Sequence, residues 1–249
     1  MRQLTWVGHA TVLIETGSLT ILTDPVLGPK IGPIQRRGPL VPIDTGAVDV
    51  VLISHQHHDH LDLPSLRALP ESVELIAPAG AGGLLRANGF RHVTELSAGQ
   101  AAEIRGVTFE AVPAVHDGRR VPVGSGPPAL GFRISGEPSI YFAGDTDLYP
   151  EMAALASTID LALLPVGGWG PNLRGGHMDP DRAAQALTLI RPKTAIAIHW
   201  GTLWPVGMRF VRPDRFSEPG RRFRAAAERL APEVVIPMLS PGDRFALAD

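Results

Sequence analysis

The stretch Ser54-His55-Gln56-His57-His58-Asp59-His60 restricts the possible folds of this chain more than any other. It follows Val48-Asp49-Val50-Val51-Leu52-Ile53, a short apolar run rich in β-branched residues that reads as a buried strand. Four imidazoles and one carboxylate then crowd into the six residues from His55 to His60. Each needs a polar partner and is costly in an apolar core. One metal ion satisfies several of them at once, and imidazole with carboxylate suits a catalytic divalent site. In an extended segment His55 and His57 project to the same side and can reach one ion. Asp59 and His60 come after the chain turns and can serve a neighbouring ion.

Composition narrows the chemistry further. The 249 residues include no cysteine, which removes disulfides, thiolate-held zinc, iron–sulfur clusters and a cysteine nucleophile. Any transition metal must be held by nitrogen and oxygen. A formal net charge of -2 supplies no electrostatic reason to bind nucleic acid, and none is expected as a partner. Met1–Trp6 lacks the apolar core of a secretory signal, and no apolar run approaches the ~20 residues of a membrane span. The expectation is a cytoplasmic protein; an oligomer is left open.

Along the chain, Leu4–Val7, Thr11–Glu15 and Leu19–Thr23 read as a meander of strands with turns at Gly8-His9 and Gly17-Ser18. His9 and Asp24, at strand edges, read as structural hydrogen-bonding residues. Residues 25–47 are rich in Pro and Gly and made locally basic by Lys30, Arg36 and Arg37, and they read either as a substrate-covering loop that meets an anionic group or as a mobile solvated loop. Pro64–Leu69 reads as a short helix behind Asp62, Val73–Ala77 as a strand, and Ala79–Asn88 as a helix ended by Gly89. Val107–Val115 is a strand leading to His116, and Gly118–Pro128 a second Gly/Pro loop. Ala129–Ser135 and Ser139–Ala143 form a hairpin that leads to Gly144-Asp145. Leu148–Ser157 has a helical pattern and Asp160–Pro165 is a strand. Asp179-Pro180 starts a helix that runs to about Ile190, and Thr194–Ile198 is a strand leading to His199. The tail carries a helix over Gly220–Leu230 and strands near Val234–Pro237 and Arg244–Leu247. No composition break marks a linker, so residues 1–249 are expected to form one domain of mixed sheet and helix layers.

The four strand-like runs ending at Ile53, Val115, Ala143 and Ile198 each lead into a candidate ligand: His55, His116, Asp145 and His199. A rigid sheet rim converges polar residues from distant positions in this way. His55, His57, Asp59, His60, His116, Asp145 and His199 are too many for one tetrahedral ion with an open position. Two ions ~3.5–4 Å apart, bridged by a carboxylate and a hydroxide, would use them all. Asp145 is the natural bridge, because its carboxylate has an oxygen for each ion.

His55-Gln56-His57-His58-Asp59-His60 resembles the H-x-H-x-D-H signature of metallo-β-lactamase-fold hydrolases. The resemblance extends through Trp6-Val7-Gly8-His9-Ala10, Leu22-Thr23-Asp24-Pro25, Phe142-Ala143-Gly144-Asp145-Thr146 and Ile198-His199-Trp200-Gly201-Thr202. These stretches are similar to the branch holding N-acyl-phosphatidylethanolamine-hydrolysing phospholipase D and ascorbate-6-phosphate lactonase. The resemblance implies an α+β fold, a four-layer αββα sandwich with a dinuclear site at one edge. It would place His55, His57 and His116 on the first ion, Asp59, His60 and His199 on the second, and Asp145 between them.

Two divalent ions lower the pKa of a bridging water and polarise a carbonyl or phosphoryl oxygen. The expected activity is hydrolysis of an ester, lactone or phosphodiester bond in a small or lipid-like, anionic substrate. The alternative is a non-catalytic metal-binding or ligand-sensing module on the same fold. Zinc suits the ligand set, and manganese or iron is also accepted. No serine-hydrolase elbow is present, since Gly124-Ser125-Gly126 lacks the required spacing. Asp59 and Asp145 are the catalytic carboxylates of this reading. His177 precedes a helix N-terminus and is read as contacting the substrate or protonating the leaving group, with a structural hydrogen bond as the alternative; Trp169 is a further candidate for substrate binding. His58 is read as pointing away from the ions and His92 as a surface residue. The arginine-rich tail reads as a solvated face, with a phosphate- or lipid-contacting patch as the alternative.

Overall fold

Alternation along the Val50–Leu52 strand sets up the layering. Val50 and Leu52 face one way into a core shared by two sheets, while Val51 and Ile53 face the other way onto helices. A strand buried on both faces needs this unbroken apolar run. The Leu161–Pro165 strand repeats the pattern, with Leu161 and Leu163 inward and Ala162 and Leu164 against helices.

The computed structural model describes residues 2–120, 126–173 and 175–247. Among these, one seven-stranded sheet runs in the order Arg244–Ala246, Gln3–Gly8, Thr11–Glu15, Thr20–Thr23, Val50–Leu52, Glu74–Pro78 and Val93–Leu96. A six-stranded sheet runs Thr194–Ile198, Leu161–Pro165, Ile140–Phe142, Leu130–Ile134, Val107–Pro113 and Ala101–Ile104. Trp6, Ile14, Phe109, Phe132 and Phe142 fill the space between them. The Leu63–Arg67 and Gly82–Ala87 helices cover the first sheet through Leu66 and Leu85. The Pro180–Ile190 and Pro219–Leu230 helices cover the second through Ala183, Leu187, Phe223 and Ala227. The result is the expected helix–sheet–sheet–helix sandwich. No helix among the described residues is long and apolar enough to cross a membrane.

Local signals placed the helix starts well. Asp62 and Asp179 each accept a hydrogen bond from a backbone N–H three residues on, of Ser65 and Arg182 respectively. Other expectations need correction. Residues 25–47 are not one loop: Lys30–Ile31 and Ile34–Arg36 form a hairpin, which pairs with Leu203–Pro205 in a third, small sheet. Its apolar anchors are only Ile31 and Ile34, too few to rise above the surrounding Pro and Gly. The strands Val93–Leu96 and Ala101–Ile104 were missed because both are sheet edges with little buried on either face. The 148–157 segment is helical only as a 3₁₀ turn over Pro150–Leu155. The tail near Val234–Pro237 contributes only a bridge between Thr194 and Val235. Residues 121–125, including Gly124-Ser125, lie outside the described residues.

Candidate metal centre

All the strand ends singled out in the sequence converge on one rim. The chain leaves Val50–Leu52 through buried Ser54 and His55, then turns tightly as His60 N–H and Leu61 N–H donate to the His57 carbonyl (3.0 and 2.8 Å). Arg120 clamps this turn from outside, donating to the carbonyls of Gln56 (3.1 Å) and Leu61 (2.9 Å). Asp145 follows Gly144, whose positive φ of 60° turns the chain at the end of the Ile140–Phe142 strand. His199 and His9 are themselves left-handed, at φ 62° and 55°. For residues with a Cβ such backbone costs roughly 1–3 kcal/mol and persists only where neighbours over-determine it. Here His199 N–H donates to the His9 carbonyl (2.8 Å), Trp6 Nε1–H donates to the same oxygen (3.0 Å), and His9 N–H donates to Thr202 Oγ1 (2.8 Å).

The donor atoms fall into neighbouring groups. His55, His57 and His116 bring ligand atoms within 4.8 Å of one another, as do His9, Asp59, His60 and His199. His57 Nδ1 and His116 Nε2 are 3.2 Å apart, and His60 Nε2 and His199 Nε2 3.1 Å apart. Asp145 lies between the groups, with Oδ2 3.2 Å from His60 Nε2 and Oδ1 3.2 Å from His199 Nε2. His177 Nε2 lies 3.3 Å from Asp145 Oδ2, and with His116 these residues form a further candidate set.

Divalent cations fit this arrangement. His55 Nε2 is buried with no hydrogen-bond partner. The Nδ1 atoms of His116 and His199 face the carbonyl oxygens of Gly176 (2.8 Å) and Gly167 (3.0 Å). Carbonyls only accept, so each Nδ1 carries the hydrogen and each Nε2 presents a lone pair. Bare nitrogens and carboxylate oxygens within about 3 Å of one another repel unless a proton or a metal cation lies among them.

Electrostatics point the same way. Burial holds His55 well below the ordinary imidazole value, lowers His57, and takes His116 down to about 4. Burial pushes the Asp59 carboxyl up, but the neighbouring imidazoles of His60, His199 and His9 more than offset it, leaving it well below the usual range. Asp145 behaves likewise, with His199 and His60 overcoming burial. His60 is the exception. Burial lowers it, yet Asp145, Asp59 and Asp24 together raise it well above its ordinary value. Neutral imidazole and ionised carboxylate are the forms that ligate metals.

The seven candidate ligands read from the sequence are thus brought together, with His177 beside them. His58 is exposed at the rim, and His92 is exposed far from it. Two supporting residues were given only general structural parts by the sequence. Asp24 Oδ2 lies 2.6 Å from His60 Nδ1, and His9 Nε2 lies 2.8 Å from Asp59 Oδ2. Ser54, between Asp24 and His55, was missed; its position directly before the first histidine was the available signal.

A cavity of about 540 Å³ opens above this floor. Ile31, Pro33 and Ile34 of the hairpin form one wall, and Trp169 and Leu173 the other. The cations expected to meet an anionic substrate are directed elsewhere. The Arg36 guanidinium donates to the Val7 and Val26 carbonyls, Arg37 lies over the Phe216 ring, and Lys30 is exposed outside the cavity. Tail arginines pair with acids on the surface, such as Arg224 with Glu228 (3.0 Å) and Arg222 with Asp181 (3.5 Å).

The family described as beta-lactamase superfamily domain matches residues 20–200. A metal-dependent hydrolase of Methanopyrus kandleri is 30% identical over 257 residues, covering 98% of this chain and 99% of the relative. The N-acyl-phosphatidylethanolamine-hydrolyzing phospholipase D 1 of Caenorhabditis elegans is 30% identical over 230 residues, covering 82% of this chain and 64% of its own. Among solved structures, a metallo hydrolase of the archaeon Ignicoccus hospitalis superposes with a TM-score of 0.72 at 22% identity, covering 98% of this chain and 97% of the other.

Proposed function

The chain belongs to the metallo-β-lactamase superfamily and is a metal-dependent hydrolase, and we propose that it works with two divalent ions on a substrate bearing an apolar group. His55, His57 and His116 would hold one ion, Asp59, His60 and His199 the other, with Asp145 shared. Zinc suits this nitrogen and oxygen set, and manganese or iron is compatible with it. When bound, such ions activate water near neutral pH and polarise a carbonyl or phosphoryl oxygen. The bond broken is an ester, lactone or phosphodiester linkage.

The chain's own residues supply the rest. Ile31, Pro33, Ile34, Trp169 and Leu173 offer an apolar surface for an acyl or aryl portion of the substrate. His177 borders the cavity at 18% side-chain exposure. From there the ring in its imidazolium form can deliver the Nε2 proton to the departing oxygen as the scissile bond breaks, and is left as neutral imidazole. Asp145, 3.3 Å from that nitrogen, keeps the ring turned toward the centre.

One observation carries this reading: the partnerless, buried Nε2 of His55 beside the paired Nε2 atoms of His60 and His199. The test is metal content by elemental analysis, followed by turnover of neutral and anionic esters, lactones and phosphodiesters. Two ions per chain with turnover of substrates bearing an apolar arm is expected. Full metal loading without turnover of any bond class would favour a ligand-sensing module instead.

A further inference from the structure

A histidine that ligates a metal presents one bare nitrogen, and the hydrogen on its other nitrogen must be held by a partner. Backbone carbonyls serve His116 and His199. His55 and His60 are served differently. His60 Nδ1 lies 2.6 Å from Asp24 Oδ2. His55 Nδ1 lies 2.9 Å from Ser54 Oγ, and that oxygen lies 2.5 Å from the same Asp24 Oδ2.

Counting hydrogens gives the direction of each bond. Burial pushes the Asp24 carboxyl up while His60 and Ser54 pull it down, and its partners, a backbone N–H on Oδ1 and the His60 ring on Oδ2, match an ionised carboxylate, which only accepts; a serine hydroxyl has one hydrogen to give. Asp24 Oδ1 already takes the Ser54 backbone N–H at 2.7 Å. The hydroxyl hydrogen therefore points to Asp24 Oδ2, and Ser54 Oγ must accept from His55 Nδ1. The reverse arrangement would leave two acceptor oxygens 2.5 Å apart with no hydrogen between them. With its hydrogen on Nδ1, His55 has a bare Nε2, the very atom that lacks a partner.

We propose that Asp24 and Ser54 form one relay that sets the ring tautomer of a histidine in each half of the centre, His60 directly and His55 through the Ser54 hydroxyl. The inference rests on the two-ion reading above. Neither residue belongs to either proposed ligand set, so both are positioning residues. Asp24, Ser54, His55 and His60 are all fully buried, which leaves bulk water unable to substitute for a lost partner. The two halves are thereby unequal in their dependence. Removing the hydroxyl frees only His55, whereas removing the carboxylate frees both rings.

The test compares the full chain with Ser54→Ala and Asp24→Asn, each stripped of metal and titrated with Zn(II) against a chelator of known affinity. Wild type should bind two ions. Ser54→Ala should weaken one by about tenfold to a hundredfold, the usual cost of losing a ligand's outer partner, and leave the other unchanged. Asp24→Asn should weaken both. Histidine ¹⁵N spectra identify the weakened position, whose ligands should be His55, His57 and His116. Unchanged affinity for both ions in Ser54→Ala overturns the relay alone. A folded wild type that binds no zinc overturns the two-ion reading and the relay with it. Long-range ¹H–¹⁵N spectra of zinc-loaded wild type test the relay without any variant. Hydrogens on Nδ1 of both His55 and His60 are expected, and a hydrogen on Nε2 of His55 overturns it.

Discussion

His9 Nε2 lies 2.8 Å from Asp59 Oδ2, and both side chains are buried. The carboxylate can only accept, so His9 donates. This bond ties the first turn of the chain to the aspartate of the candidate ligand cluster. Replacing His9 by Phe keeps the ring's bulk and deletes the donor. Leaving a buried acceptor short of a partner costs about 1–3 kcal/mol. Urea denaturation of the metal-free His9→Phe protein should show a loss of that size. Wild-type stability in the variant would mean the bond contributes nothing.

Acid should destabilise the metal-free protein well above the carboxylate range. Burial, with His199 next in effect, holds His9 down to about 3 from 6.5, and burial holds His116 at about 4. Between those values and 6.5 the unfolded chain binds protons that the folded chain refuses, so stability falls as pH drops through that window. His55 and His57 shift the same way. His60 is raised, so its contribution is fully present below 6.5 and disappears only as pH rises through its elevated value. Asp59 and Asp145 are depressed, and their contribution is lost only as pH falls below 3.8, through their folded values. Urea midpoints measured between pH 7 and 4.5 should decline steadily; a flat profile would contradict the assignment.

Gly144 cannot carry a side chain. A Cβ there would lie 2.5 Å from Ser54 Cβ and 3.0 Å from the Leu130 carbonyl oxygen, at a φ of 60° that disfavours L residues. Overpacking of this kind costs about 1–3 kcal/mol. Gly144→Ala should lower the melting temperature and, by displacing Ser54, weaken zinc binding. Calorimetry paired with zinc titration measures both effects.

His177 and Trp169 should separate in steady-state kinetics. If His177 protonates the leaving group, His177→Ala lowers kcat by about a hundredfold or more while both ions stay bound. Trp169, 40% exposed on the cavity wall, contributes apolar contact. Trp169→Ala should raise KM about tenfold, corresponding to about 1.4 kcal/mol, with little change in kcat. The reverse pattern would exchange their roles.

Much of the centre was legible because its densest part is local. His55, His57, Asp59 and His60 sit within six residues, directly behind an unmistakable buried strand. His116, Asp145 and His199 could be read as further ligands because each follows another apolar strand run. The helix caps at Asp62 and Asp179 were equally local. The hairpin over residues 30–36 was not, because its pairing partner is the Leu203–Pro205 strand far along the chain. The direction of Arg36 was hidden for the same reason: its acceptors are carbonyls of other segments.

By itself, then, the sequence determined a mixed layering of sheets and helices, the candidate ligand types and their places at four strand ends, while the four-layer sandwich was implied by the resemblance of its motifs to a known family. The layering and the ligand places follow from apolar periodicity and donor chemistry, which short windows of sequence record. Only the tertiary structure decided that His60 Nε2 would face His199 Nε2 across 139 residues, that Asp24 and Ser54 would lie against His60 and His55, and that the cavity walls would be apolar. The physical reason is range. Hydrogen-bond direction and cavity lining depend on ångström-scale placement of residues distant in sequence, and sheet register, not local composition, sets that placement.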